Sequence, residues 1–368
     1  MQVVSLALTD FRCYEGVELK LAPGTTVITG GNGEGKTSLL EAMSWSATGH
    51  SFRGVPDAAL VRVGTEQAVV RIESELDGRP QLLEAEINAV GRNRLQVNRQ
   101  RVSRLKALRD FLRVTVFAPD DLELVKGGPS GRRRYLDELL VAARPRYDAV
   151  RSDYEKVLRQ RNALLRQGVR DESARTTLAV LDDQLVNAGA ALTEGRLELV
   201  RDLGPAVDVA YATVAGETPT VSATYEAEWA EGPVVAGADV AAGLRDGLDA
   251  NQRREIERGL TLVGPHRDDW RLHLGDLVAR LHASQGEQRT LALALRLAGH
   301  RVVTGEIGAP PVLLLDDVFS ELDDDRSEAL VAGLPLGQTV VTTAGMLPGS
   351  VRADRRLRVD RGRIEEGE

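Results

Sequence analysis

Cysteine, aromatic residues and long apolar runs are all scarce in this sequence of 368 residues, and each scarcity excludes a class of protein. The single cysteine, Cys13, rules out an internal disulfide and a zinc site built from cysteines, which favours a reducing compartment. Aromatic residues make up 4%, too few for a surface on which single-stranded bases stack. No apolar run could cross a bilayer, and the amino-terminal segment lacks a basic stretch and a small-residue cleavage site. We therefore expect a soluble cytoplasmic protein without a membrane partner.

Positive charge is also in deficit, because the formal net charge is −8. This balance excludes a globally basic coat protein for nucleic acids, although a local basic surface stays possible because binding depends on where charges lie. Apolar residues make up 42%, which suffices for a sizeable core, and the length is typical of two or more lobes.

The most informative stretch is the glycine-rich run GGNGEGKT, which follows an apolar, β-branched segment and precedes a segment with helical spacing. This context predicts a turn from a strand into a helix, where glycines let the backbone curl around an anion and the helix adds the positive end of its dipole. We predict that Lys36 reaches the β- and γ-phosphates of ATP and that the Thr37 hydroxyl coordinates Mg²⁺. The predicted ATP-binding residues are Gly30, Gly31, Asn32, Gly33, Glu34, Gly35, Lys36 and Thr37.

Strands are predicted on both sides of this loop. Residues 3–11 and 16–24 predict an antiparallel pair, and Arg12, between them, is either a surface charge or a phosphate contact. Alternating segments at 68–75, 81–87 and 94–97 predict a meander.

Arginines concentrate in two places. The stretch from residue 92 to residue 113 is either a solvated face or a surface that contacts phosphates. A second group begins a helix after a Gly-Gly-Pro turn and either contacts DNA or pairs with acidic groups of its own lobe. The candidate DNA contacts are Arg99, Arg101, Arg104, Arg132, Arg133 and Arg134.

The middle of the chain is predicted to be helical up to about residue 203, with an interruption near 167–171, which indicates an antiparallel helical pair. A further helix is predicted over 238–259. Leu158, Leu164 and Leu165 are candidates for the core, whereas Arg159, Arg161 and Arg166 are expected to lie mostly outside. His266, beside two aspartates, fits either a metal ligand or a structural turn, and the preceding Gly-Pro pair favours the turn.

Two later segments complete the predicted site. Ser284 and Gly286 lie at the start of an apolar helix, which is a second place for an anion. Residues 312–315 predict a buried strand that ends in Asp316 and Asp317. A carboxylate there can hold Mg²⁺, and the next one can orient or deprotonate an attacking water. The segment 338–345 predicts another strand, and a hairpin with its turn at 360–362 is expected to close the chain.

The order of phosphate loop, helical insertion, serine-glycine segment and strand with paired aspartates resembles the ATPase heads of the ABC class. Within that class, residues 119–137 and 313–326 are similar to the two signature stretches of the RecF family of bacterial recombination-mediator ATPases. Shorter similarities cover nearly the whole chain, at the segments TDFRCYE, TGHSFRG, QRNALLR, DDQLVNAGA and GPHRDD.

The resemblance implies an α/β fold, an ABC-type P-loop ATPase head with an inserted helical lobe, like the Rad50 head but without a long coiled coil. It divides the chain into a first part of the ATPase lobe with the Walker A loop (1–118), a helical lobe that ends in the signature motif (119–289), and a second part of the ATPase lobe with the Walker B strand and D-loop (290–368).

The resemblance also implies a weak DNA-dependent ATPase that uses ATP and Mg²⁺ and forms a homodimer on ATP binding. Such a dimer binds double-stranded DNA and gapped DNA junctions, acts with RecR and RecO, helps to load recombinase at stalled forks and supports the SOS response. The roles carried over are catalysis for Lys36 and Asp317 and Mg²⁺ binding for Thr37 and Asp316. The residues that would contact the nucleotide of the second subunit are Ser284, Gln285, Gly286, Glu287, Gln288 and Asp323.

Two departures from the wider ABC class predict slow hydrolysis, which suits a timed clamp more than a motor. Asp317 stands where most ABC heads carry glutamate, and its carboxylate is shorter by one methylene. Thr342 or Thr343 stands where many heads carry a switch histidine. The alternatives are an ATP-binding subunit of a membrane transporter, an SMC-like structural ATPase, which would need long heptad arms, and a nucleotide kinase, which would leave the serine-glycine segment without a role.

Overall fold

The computed structural model describes residues 1–76, 78–102, 106–216 and 219–367, and its fold is α/β, as predicted. The chain divides into two compact units. The first unit comprises residues 1–121, 213–216 and 293–368, and the second comprises residues 122–212 and 217–292.

Strands and helices follow one another along the chain in this order. The strands are β1 (Gln2–Phe11), β2 (Tyr14–Lys20), β3 (Thr25–Thr29), β4 (Gln67–Leu76), β5 (Arg79–Asn88), β6 (Arg94–Val97), β7 (Gln100–Val102), β8 (Val114–Phe117), β9 (Val221–Glu226), β10 (Asp269–Leu274), β11 (Leu277–Val278), β12 (Val312–Asp316), β13 (Thr339–Thr343), β14 (Arg355–Asp360) and β15 (Arg363–Glu366). The helices are α1 (Lys36–Thr48), α2 (Lys106–Phe111), α3 (Glu123–Lys126), α4 (Pro129–Ala143), α5 (Tyr147–Gln167), α6 (Glu172–Ala215), α7 (Val240–Arg258), α8 (Ala279–His282), α9 (Gln285–Ile307) and α10 (Asp324–Gly333).

An antiparallel sheet of order β2-β1-β4-β5-β6-β7 forms one layer of the first unit. Its strands alternate between core and solvent: in β4, Ala68, Val70 and Ile72 are fully buried, whereas Arg71 and Glu73 are exposed. This period of two is what allows one face of a sheet to cover a core while the other stays in water. The predicted antiparallel pair and the predicted meander are both confirmed.

A second sheet of the first unit, of order β15-β14-β3-β13-β12-β8, carries the phosphate loop. Strands β14, β3, β13, β12 and β8 run parallel, and β15 closes the sheet as an antiparallel hairpin with β14, as predicted. Every residue of β12 and β13 is buried, which is typical of central parallel strands. Because these strands are parallel, the ends of β3, β12 and β13 meet at one edge of the sheet.

One buried side chain ties the two sheets of the first unit together. The Gln338 side-chain carbonyl accepts from the Val3 N–H at 2.7 Å, and its amide donates to the carbonyls of Val3 and Ala22 at 2.7 and 2.8 Å. The Gln338 side chain is 5% exposed, and three hydrogen bonds to uncharged backbone groups satisfy its amide. These bonds fix the two sheets relative to each other.

The second unit combines helices α4 to α7 with a three-stranded sheet of order β11-β10-β9. The predicted interruption near 167–171 is confirmed, because α5 ends at Gln167 and α6 begins at Glu172. The prediction of one helical pair was incomplete: α4 is a separate helix, and α6 runs over 44 residues to Ala215 with Pro205 inside it. Helix α7 matches the helix predicted over 238–259.

Arg161 contradicts the expectation that it lies outside, because its side chain is fully buried. Its guanidinium lies 2.6 Å from an Asp182 oxygen and 2.7 Å from an oxygen of Glu255, which is itself fully buried, and it donates to Thr261 Oγ1 at 2.9 Å. The prediction failed because helical spacing on α5 does not reveal that a carboxylate of α7 lies opposite. Leu165 is buried as predicted, and Leu158 and Leu164 are half-buried.

Within the described residues, every helix is either too short or too polar to cross a membrane.

Candidate nucleotide site

The glycine-rich loop joins β3 to α1, and its backbone adopts conformations that favour glycine. Gly30, Gly33 and Gly35 have φ angles of 155°, 81° and 117°. A Cβ on Gly30 would lie 2.4 Å from the Val359 carbonyl oxygen, and one on Gly35 would lie 2.7 Å from Tyr14 Oη. The loop therefore packs so closely that side chains at these two positions would displace it.

Lys36 is buried and folds back over the loop. Its ammonium donates to the carbonyl oxygens of Gly30 and Gly31 at 2.8 Å each. A positive charge is thus held at the mouth of a loop that opens into a helix N-terminus, and both features favour an anion.

Thr37 and Asp316, which were predicted to serve Mg²⁺, lie together. Thr37 Oγ1 donates to Asp316 Oδ1 at 2.9 Å, and Thr342 Oγ1 donates to the same oxygen at 2.7 Å. Burial raises the pKa of Asp316, the hydrogen bonds from Thr342 and Thr37 oppose that rise, and the Asp317 charge adds to it. A hydroxyl and a carboxylate oxygen at this spacing suit a hard cation such as Mg²⁺, and their role as metal ligands stays a prediction.

Asp317 is held in a left-handed conformation, with φ of 50°, by the neighbouring strand. Its N–H donates to the Thr342 carbonyl at 3.0 Å and lies 3.2 Å from Thr342 Oγ1, and its carboxylate accepts from the Ala344 N–H at 3.2 Å. Thr342 therefore orients both aspartates, a role that the sequence did not reveal.

Arg12 is not a plain surface charge, because its guanidinium is paired, and its contact with a phosphate stays a prediction. Its guanidinium makes two hydrogen bonds, of 2.8 and 2.7 Å, to the carboxylate of Glu41, which is fully buried on α1, and a third of 2.8 Å to the Ala59 carbonyl. Ser51 Oγ donates to the same carboxylate at 2.5 Å. Glu41 therefore fixes the loop after α1 against the end of β1.

Arg53, in that loop, was missed by sequence reasoning. Its N–H donates to Ser51 Oγ at 3.1 Å, its side chain is exposed, and its charge lowers the pKa of Asp316 against the effect of burial. Arg53 thus lies within electrostatic range of the carboxylate at the end of β12. The polar turn was visible in the sequence, but no spacing connected it with Asp316.

The segment Ser284 to Gln288 belongs to the second unit and begins α9 with a reciprocal cap. Ser284 Oγ accepts from the Glu287 N–H at 3.3 Å, and the Glu287 carboxylate accepts from the Ser284 N–H at 2.7 Å. The Gln288 side chain is buried and donates to the Ala283 carbonyl at 3.1 Å. The predicted helix N-terminus is confirmed, and contact of Ser284, Gln285, Gly286, Glu287 and Gln288 with a second subunit's nucleotide stays a prediction.

Asp323 caps α10 in the first unit. Its Oδ1 accepts from the Arg326 N–H at 2.9 Å, and the side chain is 60% exposed. Its predicted place in an intersubunit loop is untested.

The predicted DNA contacts divide into two groups. Arg99 and Arg101 are exposed on the hairpin of β6 and β7, where Asn98 and Arg99 form the turn with positive φ angles. Arg104 lies outside the described residues. The exposed arginines suit contact with phosphates, which the structure leaves as a prediction.

The burial of Arg132, which is 5% exposed, counts against its predicted contact with DNA. It pairs with the Asp269 carboxylate through hydrogen bonds of 2.8 and 3.0 Å and donates to the Gly127 carbonyl at 2.9 Å. Arg133 is half-buried and donates to the Asp268 carbonyl at 2.7 Å, whereas Arg134 is exposed. Arg132 therefore follows the alternative prediction, in which these arginines pair with acidic groups of their own lobe.

His266 lies in the turn that the sequence favoured, closed by a hydrogen bond of 2.8 Å from the Arg267 N–H to the Gly264 carbonyl. Its ring nitrogens lie 2.6 Å from Tyr154 Oη and 3.2 Å from the Thr261 carbonyl. Burial lowers the pKa of His266 to about 4, so the ring is neutral near pH 7. Burial raises the pKa of Asp268 to about 7, against the hydrogen bond from Tyr225.

Solved structures resemble this fold over its whole length. A structure described as the recombination mediator protein RecF with ATP, in the RecFOR pathway, is 27% identical, covers 100% of this chain and 98% of its own, and has a TM-score of 0.92. An Smc head domain from Pyrococcus furiosus, bound to part of ScpA, is 15% identical, covers 99% and 95% of the two chains with a TM-score of 0.56, and shares the fold alone.

Sequence comparisons agree with the structural ones. The family model described as the RecF/RecN/SMC N terminal domain matches residues 2–343. The DNA replication and repair protein RecF of Streptomyces avermitilis is 43% identical over 374 residues, which span 99% of this chain and 100% of that protein. The RecF protein of Beutenbergia cavernae is 44% identical over 94% of both chains. With the phosphate loop, the Thr37–Asp316 contact and these similarities over its full length, the chain belongs to the RecF family.

Proposed function

We propose that this protein is an ATP-dependent DNA-binding protein of replication and recombinational repair, in which slow ATP hydrolysis acts as a timer. Two copies pair head to tail around two ATP molecules and bind double-stranded DNA near single-strand gaps. Together with RecR and RecO, the dimer helps to load recombinase.

The contact between Thr37 and Asp316 carries the proposal. A lysine, a threonine and a strand-end carboxylate at one edge of a parallel sheet make up the arrangement that binds a nucleoside triphosphate with its cation. The ATP-bound structure that is 27% identical to this chain supports ATP as the nucleotide. The oxygen donors of Thr37 and Asp316 would hold Mg²⁺, which when bound neutralises charge on the phosphates.

The residues around the reacting phosphate have separate roles in this proposal. Lys36 exchanges its two carbonyl contacts for phosphate oxygens. Asp317, oriented by Thr342 and Ala344, positions the attacking water and accepts its proton. Because an aspartate reaches less far than a glutamate, hydrolysis is slow, and a steady-state turnover of tens per second would contradict this part.

Pairing and DNA binding rest on the exposed groups. The capped serine-glycine segment at Ser284 and Gly286 offers its helix N-terminus to the nucleotide of a second copy, and Asp323 lies in the loop between subunits. Arg99, Arg101 and Arg134 are exposed and are proposed to contact the DNA backbone, whereas Arg132 is left out because its guanidinium is paired with Asp269. The 40% to 44% identity with RecF proteins favours this function over a transporter subunit.

Sedimentation tests the proposal directly. The wild-type chain and Lys36→Met are compared with and without ATP and Mg²⁺, alone and with a short labelled duplex. We expect ATP to convert the wild type from monomer to dimer and to bring the duplex with it, and we expect the variant to do neither. If the wild type binds ATP but neither dimerises nor binds the duplex, the nucleotide site is supported and the proposed ATP-dependent dimer on DNA is contradicted.

The arginines are then tested one by one. Arg99→Ala or Arg134→Ala should weaken duplex binding and reduce its salt dependence without changing ATP-dependent pairing. Arg159→Ala, an exposed arginine outside the proposed contacts, is the matched control.

A further inference from the structure

Glu34 is an acidic residue inside the phosphate loop, and its side chain folds back onto the loop itself. Its carboxylate accepts a hydrogen bond of 2.6 Å from the Gly31 N–H. A Cβ on Gly30 would lie 2.9 Å from one carboxylate oxygen, and a Cβ on Gly31 would lie 3.0 Å from the other. The carboxylate therefore rests against the first two residues of the loop.

Lys36 binds the same two residues through their carbonyl groups, at 2.8 Å each. Glu34 thus binds the N–H of Gly31, while Lys36 binds the carbonyl groups of Gly30 and Gly31. The loop therefore carries a negative and a positive side chain that bind the same short segment, and phosphate binding depends on the positive one. A neutral residue at position 34 would leave Lys36 without this opposing charge.

We infer that Glu34 limits the affinity of the site for nucleotides. The inference rests on the proposed nucleotide site and deepens it. The loop binds phosphates through its backbone N–H groups and Lys36, while the Glu34 carboxylate repels the negatively charged phosphate chain. Like charges within a Debye length of about 8 Å repel measurably, which corresponds to roughly a threefold to thirtyfold loss of affinity. The site consequently exchanges nucleotide faster than the same loop with a neutral residue.

Glu34→Gln separates charge from geometry. The amide oxygen of glutamine can still accept from the Gly31 N–H, so the loop keeps its conformation and loses only the charge. Titration calorimetry of the full chain with ATP and with ADP should show affinity increased by roughly threefold to thirtyfold. The gain should be larger for ATP than for ADP, larger in EDTA than with Mg²⁺, and smaller when salt rises from about 50 mM to about 500 mM.

Three further variants make the result unambiguous. Glu34→Ala removes both the charge and the hydrogen bond, and a gain smaller than that of Glu34→Gln would reveal the part played by loop geometry. Glu231→Gln, at an exposed glutamate of the second unit, has the same change in net charge and should leave affinity unchanged. Lys36→Met should lose nucleotide binding.

Equal or weaker affinity in Glu34→Gln than in the wild type, with binding lost in Lys36→Met, would overturn the role of Glu34 and leave the nucleotide site standing. Equal affinity in the wild type, Glu34→Gln and Lys36→Met, or binding in none of them, would overturn the nucleotide site as well. A gain that is the same for ATP and ADP and insensitive to salt would also overturn the inference, because repulsion between charges requires both dependences.

Discussion

Thr342 is the residue on which the geometry of both site aspartates depends. Its hydroxyl donates to Asp316 Oδ1 at 2.7 Å, and its carbonyl accepts from the Asp317 N–H at 3.0 Å. Valine at this position would keep the shape of the side chain and remove the hydroxyl. Because a hydrogen bond to a charged group is worth about 1.5–3 kcal/mol, we expect ATP hydrolysis by Thr342→Val to fall about 10- to 100-fold.

Steady-state hydrolysis over a range of Mg²⁺ concentrations, together with nucleotide affinity, checks this expectation. Affinity for nucleotide should change far less than hydrolysis, since Thr342 contacts Asp316 and not the phosphate loop. Thr342→Ser keeps the hydroxyl and should retain most activity. Thr343→Val, one residue further, is the matched control, and equal losses in Thr342→Val and Thr343→Val would contradict the role given to Thr342.

Arg161 supplies a second prediction at the residue scale. Its guanidinium is fully buried between Asp182 and Glu255, and Glu255 is fully buried too. Arg161→Met would leave a buried carboxylate without its partner, so we expect the free energy of unfolding of the second unit to fall by about 3–5 kcal/mol. Denaturant unfolding of the full chain measures it.

Arg159 lies on the same helix and provides the comparison. Its side chain is 70% exposed, and its nearest carboxylate contact, with Glu155, is 3.8 Å long. Exposed pairs of this kind contribute at most about 1 kcal/mol, so Arg159→Met should be nearly neutral. An equal loss of unfolding free energy in Arg161→Met and Arg159→Met would contradict the stabilising role of the buried pair between Arg161 and Glu255.

At the scale of elements, the phosphate loop and the closing hairpin of β14 and β15 depend on each other. Gly30 has a φ of 155°, and a Cβ there would lie 2.4 Å from the backbone carbonyl of Val359 in β14. We expect Gly30→Ala to lower the free energy of unfolding of the first unit by about 2–4 kcal/mol and to weaken nucleotide binding, because backbone cannot move aside as a flexible side chain does.

Gly33 separates steric contact from backbone strain. Its φ is 81°, and within the described part of the chain an added Cβ would meet no atom within 4 Å. Gly33→Ala should therefore cost only the strain of a left-handed residue, about 1–2 kcal/mol. Thermal unfolding of both variants measures the difference, and a larger loss in Gly33→Ala would show that contact with Val359 is not the limiting factor.

Most of the elements could be predicted from the sequence, because period-two and helical spacings report which face of an element is buried. The strands β3, β12 and β13 could each be predicted from their apolar composition and polar ends, whereas their order in the sheet, β3-β13-β12, could not. Contacts between elements distant in sequence could not be predicted. No local pattern specifies the partner in three such contacts. These are the pairing of Arg12 with Glu41, the burial of Arg161 against carboxylates, and the hydrogen bond from Thr342 to Asp316.

At the scale of the whole molecule, buried histidines make stability sensitive to acid in both units. Burial lowers the pKa of His266 in the second unit and of His300 in the first unit to about 4, against 6.5 for an ordinary histidine. Between pH 6.5 and pH 4 the unfolded chain binds protons at these rings that the folded chain does not. The folded state therefore loses stability as pH falls through this window.

Asp268 works in the opposite direction. Its pKa is raised by burial from 3.8 to about 7, so the folded chain holds a proton there that the unfolded chain releases. The stability contributed by that proton is present at low pH and is lost as pH rises from about 4 to about 7. Asp268 thus offsets part of the acid sensitivity that the neighbouring His266 creates.

Two replacements at neighbouring positions should consequently change the pH profile in opposite ways. With unfolding free energy measured from pH 7 to pH 4.5, His266→Gln should lose about 2–3 kcal/mol less than the wild type over this range, because glutamine takes up no proton. Asp268→Asn should lose more than the wild type over the same range, because the compensating proton is gone. His300→Asn should reproduce the effect of His266→Gln in the first unit. Parallel profiles for the wild type and all three variants would mean that the acid response comes from the surface carboxylates and not from these buried groups.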